Sequence, residues 1–173
     1  VLPAATGTAA ELCELFDAGH GASAALFALG LVAQDDSSGP LLWVQDRQSA
    51  QRHGLPFFHG LPRGWQSRLV HVLARDARDA LWAMEEGLKC AGIAAVLGEL
   101  SGTPRALDFT ASRRLAVAAE RHATPAFLIR HQGERTLSGA RQRWTINARP
   151  SLPHPYAPQA PGTPVLAAEL FRS

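Results

Sequence analysis

Short apolar runs alternate along this chain with stretches of helical apolar spacing, and that alternation confines the fold to a largely parallel sheet with helices on both faces. Glu11 to Asp17 reads as a strand, the turn Ala18 to Gly21 follows, and the apolar run Ala22 to Ala33 reads as a buried helix. Leu41 to Val44 and Leu69 to Leu73 read as further strands, while Gln48 to Arg68 between them, rich in Gly, Pro and His, reads mostly as loop. From Asp76 onward, Ala77, Ala80, Leu81, Met84 and Leu88 fall at helical spacing. Ile93 to Leu97 and Ala126 to Ile129 are continuous apolar runs of the kind found in strands buried on both faces. Between them, Thr110 can cap a helix whose buried stripe is Ala111, Leu115, Ala118, Ala119 and His122. Ligand sites in such sheets lie beyond the carboxyl ends of the strands, here Asp17 to Ser23, Gln45 to Arg47, Ala74 to Asp76, Gly98 to Gly102 and Arg130 to Gln132.

The tail changes character. Arg141 to Ala148 carries the alternating Trp144 and Ile146, six prolines fall between Pro150 and Pro164, and Val165 to Phe171 is strand-like again. Prolines at this density exclude a helix or a central strand, so 150–164 reads as a stiff surface crossing between two edge strands. No internal repeat is visible. The 173 residues, 46% of them hydrophobic, suffice for one substantial core, and 1–173 reads as a single domain. Because residue 1 is valine, the chain is expected to be a piece of a longer one.

Charge and cysteine content narrow the function classes. The net charge is only +2, every basic residue except Lys89 is arginine, and any nucleic-acid affinity is therefore regional. Cys13 and Cys90 lie far apart in apolar segments, which excludes a disulfide framework and a four-ligand zinc site and points to a reducing cytoplasm with both cysteines buried. The run Ala22 to Ala33 is about half the length needed to cross a bilayer, so no membrane association is expected. His53 and His59 flank a Gly/Pro loop without a carboxylate or cysteine at metal-ligand spacing, so no metal site is expected. A hydrolase elbow fails at Ala25, where the second glycine of Gly-x-Ser-x-Gly belongs, and a Ser23, Asp46, His71 triad has only chance to support it.

The order of elements also resembles the nucleotide-binding core of the RecA family, with Glu11 to Asp17 and its turn standing where strand and Walker A loop stand, and Ile93 to Glu99 where the Walker B strand stands. More specifically, LLWVQDR at Leu41 to Arg47, ARDARDALWAMEEGLKC at Ala74 to Cys90, AAVLGEL at Ala94 to Leu100 and ALDFTASRRLAVAAE at Ala106 to Glu120 resemble the ImuA family of RecA-like accessory proteins from bacterial damage-induced mutagenesis cassettes. RWTINARPS, the proline-rich crossing and PGTPVLAAEL resemble it too, so nearly the whole chain is covered. The resemblance implies an α/β RecA-like core, a mostly parallel sheet sandwiched by helices with antiparallel strands at the C-terminal edge. It implies an adaptor in SOS-inducible translesion synthesis, with a Y-family-like polymerase of the same cassette as partner, and with RecA, single-stranded DNA or a second copy of the chain as further candidates.

The residues themselves argue against catalysis. A working P-loop needs backbone amides, a lysine for the β- and γ-phosphates and a hydroxyl for magnesium. Here the loop reads Asp17, Ala18, Gly19, His20, Gly21, Ala22, Ser23, with Ala22 at the lysine position, and Lys89 is far along the chain. Ser23 reads as a helix N-terminal cap, and Glu99 stands where Walker B carries Asp. The expectation is a non-enzyme without cofactor, the alternative being weak ATP binding or hydrolysis through a degenerate loop. In RecA-like proteins the connection after the strand matching Ala126 to Ile129 contacts DNA, and here Gln132 to Ala140 lies in a stretch with six arginines and one acid between Arg121 and Arg149. Arg130, Arg135, Arg141, Arg143 and Trp144 are therefore candidate contacts to DNA or to a partner, and a solvated hairpin accounts for them equally well. Among the tryptophans, Trp43, Trp65, Trp82 and Trp144, the one beside the main stripe of its helix, Trp82, is the candidate interface residue, with burial in the core as the ordinary alternative.

Overall fold

The interior strand β1 (Leu12–Asp17) lies between β5 (Ala126–His131) and β6 (Gln142–Arg149), parallel to both. In the computed structural model, which describes residues 10–17, 19, 21–34, 38–61, 63–157 and 159–172, all six positions of β1 are buried. A strand flanked on both sides and covered on both faces has no wet face, so its polar residues Glu14 and Asp17 must find partners inside.

With β2 (Leu41–Asp46), β3 (Leu69–Ala74), β4 (Ala95–Ser101) and β7 (Val165–Arg172), the sheet has the order β3-β2-β4-β5-β1-β6-β7. Every neighbouring pair is parallel except β6 and β7. The α/β class with a mostly parallel sheet is thus as the sequence implies, and the antiparallel addition at the C-terminal edge is β7 alone. Pro153 and Pro161 form an isolated antiparallel bridge that folds the proline-rich crossing back on itself before β7.

The helices cover both faces. Phe27, Ala24 and Ala28 of α1 (Ser23–Val32) pack on one face with Leu15, Trp43, Leu97, Phe127 and Ile129. Met84 and Leu88 of α4 (Ala77–Lys89) and Leu115 of α5 (Phe109–His122) pack on the other with Leu42, Val44, Val96 and Leu128. Two glycines are required by this fit: a Cβ on Gly98 would fall 2.1 Å from Met84 Sδ, and one on Gly39 would fall 2.0 Å from the Gly92 carbonyl oxygen.

Several boundaries differ from the sequence reading. The stretch read as loop contains α2 (Arg47–His53) and α3 (Arg63–Gln66); α2 starts because the Asp46 carboxylate accepts the Ser49 N–H at 2.7 Å, a cap that periodicity does not reveal. Asp108, not Thr110, caps α5, accepting the Ala111 N–H at 2.7 Å. His122, read as part of the buried stripe, is exposed in the last turn, where the helix closes on Ala123 at φ 51°. β4 continues through Gly98 and Glu99, which places Glu99 inside a strand and not past its end.

Candidate functional site

The turn after β1 is built around Asp17. Its carboxylate, 2% exposed, accepts the backbone N–H of Gly19 at 3.0 Å and that of Ala24, in the first turn of α1, at 3.4 Å. An anion from the protein itself therefore occupies the amides that a helix N-terminus offers to a bound anion. Ala22 precedes α1 without a side-chain cap, and the expected capping role of Ser23 falls to Asp17. Gly19 and Gly21 are described, Gly21 being exposed, whereas His20 lies outside the described residues.

Beside this turn, on the α1 face, a polar cluster surrounds Glu99. Its carboxylate, 4% exposed, accepts the Trp43 indole N–H at 2.6 Å and the Gln45 side-chain N–H at 3.2 Å, and lies 2.9 Å from His131 Nε2. The His131 ring stacks on that of His53 at 3.8 Å between centroids, and Gln45 reaches His71 at 2.9 Å. Burial pulls the His71 imidazole below its ordinary value, opposed by the Glu99 charge. Arg52 donates to Ser101 Oγ at 3.3 Å, tying α2 to the end of β4. Four strands and α2 thus contribute to one cluster whose carboxylate is fully engaged by the protein. Asp46, at the end of β2, is committed to capping α2.

The arginines divide. Arg130, 1% exposed, lies 3.6 Å from the Glu14 carboxylate, and Arg143, 6% exposed, donates to it at 2.8 Å from the opposite strand. Arg143 also donates to the Thr136 carbonyl at 2.9 Å and Arg130 to that of Gly102 at 3.3 Å. Both guanidinium groups lie over the Phe16 ring, at 5.5 and 5.2 Å. Burial draws the Arg130 guanidinium below its ordinary value, and the Glu14 charge works against that. These two side chains face Glu14 and not solvent. Arg135 donates to Thr145 Oγ1 at 2.6 Å and lies 4.1 Å over Phe171, and Arg141, exposed, pairs with Glu120 at 2.6 Å. The four arginines therefore do not converge on one outward patch.

The tryptophans divide as well. Trp43 is buried against Glu99, Trp65 carries Arg68 over its ring at 4.8 Å, and Trp144 packs against Phe27 at 5.5 Å between centroids. Trp144 also lines an apolar groove of about 720 Å³ with Leu26, Leu152 and Val165. Trp82 is 62% exposed. Cys13 is buried, as expected, but Cys90 is exposed at the end of α4, where the helix runs out before its apolar period can cover it. Among the described residues no group of three or more His, Cys, Asp or Glu could hold a metal ion, and no helix is long and apolar enough to cross a membrane.

The sequence pointed to Glu99 and to the turn after Asp17, but it did not show that Trp43, Gln45 and His131 converge on Glu99, or that Glu14 holds two arginines. Such contacts join residues more than a hundred positions apart in the chain for Glu14 and Arg143, and they follow only from strand order. The available signal was a glutamate within each of two strands, Glu14 in β1 and Glu99 in β4.

No protein-family profile matches the chain. Protein ImuA of Caulobacter vibrioides, in each of two strains, is 31% identical over 147 residues, covering 78% of this chain and 57% of the relative. The chain thus spans a little over half the length of the curated relatives it matches. Among solved structures, SulA from Pseudomonas aeruginosa overlaps with a TM-score of 0.42 at 18% identity, covering 69% of this chain and 97% of that one. Across the matched residues, the chain is an ImuA-like protein.

Proposed function

We propose that this domain works by binding and not by catalysis, as the ImuA-like component of a damage-induced mutagenesis cassette. In this reading it serves translesion synthesis as an adaptor for a Y-family-like polymerase of the same cassette, in the cytoplasm. The observation that carries it is the carboxylate of Asp17 on the amides of Gly19 and Ala24. A nucleotide phosphate at that turn would have to displace a buried negative charge, and with alanine at position 22 no lysine compensates. The engagement of Glu99 by Trp43, Gln45 and His131 supports the same reading, because a metal-bridging carboxylate needs a free oxygen aimed at the nucleotide site. The likeness to ImuA supplies the biological setting.

Affinity capture with this chain from DNA-damaged cells of its own host, at moderate salt with nuclease present, tests the proposal. Retention of a Y-family-like polymerase supports the adaptor role. If neither such a polymerase nor RecA is retained, the adaptor role is wrong.

A further inference from the structure

Helices α4 and α5 lie side by side on the sheet, and the seam between them exposes apolar side chains among arginines. Trp82 is 62% exposed and Val117 44%. Tryptophan is enriched where protein surfaces meet, and an indole this open to water offers a partner apolar area to bury. Two grooves follow the seam, one of about 460 Å³ beside Trp82 and Arg105, the other of about 290 Å³ beside Val117, Arg113 and Arg121. Glu85, Thr110 and Arg114 line both, which makes them one channel along the two helices.

The charges in the channel are unequally committed. Glu85 pairs with Arg114 and with Lys89, Glu86 pairs with Lys89 at 2.8 Å, and the Asp108 carboxylate accepts the Ala111 N–H. Arg105, Arg113 and Arg121 are exposed and make no ion pair among the described residues. The acids are held internally, and the charge left for a partner is positive.

We propose that this seam docks an acidic amphipathic helix of a protein partner, with an apolar side chain against Trp82 and carboxylates meeting Arg105, Arg113 and Arg121. The proposal rests on the binding role above and names its surface. Two helices running in the same direction leave a groove that takes the ridge of a third, and α4, with 13 residues, sets a matching length of roughly 20 Å at about 1.5 Å per residue. A nucleic-acid strand fits less well, because the apolar side chains of Trp82 and Val117 line the channel where its charged backbone would lie.

The test places a benzophenone amino acid at position 82 or 117 of the full chain, irradiates DNA-damaged host cells, and maps the adducts. The expected result is that both positions join to one segment of one protein, net negative with apolar residues three and four apart, and that Arg105→Glu with Arg113→Glu lowers the yield about tenfold. If the reversed variant does not keep its far-ultraviolet circular dichroism, Arg105→Gln with Arg113→Gln takes its place. Absence of adducts at both positions, adducts scattered over unrelated proteins, a nuclease-sensitive adduct, or a yield indifferent to the arginines overturns the proposal. Affinity capture through a terminal tag on the same chain separates the two failures. A partner retained without an adduct at the seam removes this surface and leaves the binding role, whereas nothing retained removes both.

Discussion

Asp17 and Ala24 meet across the turn after β1, the carboxylate of the first accepting the backbone N–H of the second at 3.4 Å. A strand ending in aspartate, and a helix start whose N-cap is alanine, leave each group the natural partner of the other. The place where a sheet of this kind opens toward a ligand is here closed by the protein's own charge.

If that closure stabilises the fold, Asp17→Ala costs about 1–3 kcal/mol in chemical denaturation, because the helix amides lose a charged acceptor in a site that water reaches poorly. Asp17→Asn, which keeps an acceptor oxygen without the charge, falls between the two. Equal stability of all three proteins would show that the hydrogen bonds contribute nothing.

Glu14 holds Arg130 and Arg143 together on the opposite face of the sheet. Glu14→Gln leaves two buried guanidinium groups facing each other without a counter-charge, and the expected loss is about 3–5 kcal/mol. The double variant Glu14→Leu with Arg143→Met recovers part of it, because it removes a second buried charge together with the first. A loss under about 1 kcal/mol for Glu14→Gln in urea unfolding contradicts the arrangement.

Gly98 and Gly39 predict different responses to the same substitution. Gly98→Ala drives a methyl group into the Met84 thioether, a flexible side chain, so Met84→Ala restores much of the lost stability. Gly39→Ala meets the Gly92 carbonyl, and no side-chain change relieves it. Thermal midpoints of the four proteins decide between these outcomes.

The two cysteines should differ in reactivity. Burial, aided by the nearby Glu11 charge, pushes the Cys13 thiol from 9.0 up to about 12. In the folded state it stays protonated between those values while the unfolded chain ionises, so this contribution to stability is complete below about pH 9 and declines as pH rises toward 12. Cys13→Ala removes that alkaline decline. At neutral pH a thiol reagent modifies the exposed Cys90 and reaches Cys13 only on unfolding. Equal labelling rates contradict the burial of Cys13.

Much of the fold was legible because the signals were local. The strands at Leu41, Leu69 and Ala126 announce themselves as apolar runs, and α4 carries a clean stripe from Ala77 to Leu88. The elements missed or shifted depend on side-chain capping: Asp46 starts α2 in a segment whose Gly and Pro content suggests loop, and Asp108 outcompetes Thr110 by two positions. The candidate site was legible in its location and not in its wiring. Arginine looks the same in sequence whether it faces solvent, as Arg141 does, or lies buried beside Glu14, as Arg130 does. Only the pairing of β1 with both β5 and β6 distinguishes them.

The most direct measurement is ATP binding and hydrolysis by the full chain with magnesium, alongside Ser23→Ala and Glu99→Gln. The expected result is no saturable binding and no turnover above background in any of the three. Turnover by the unaltered protein that falls in Ser23→Ala or Glu99→Gln would contradict it and make this domain an ATPase.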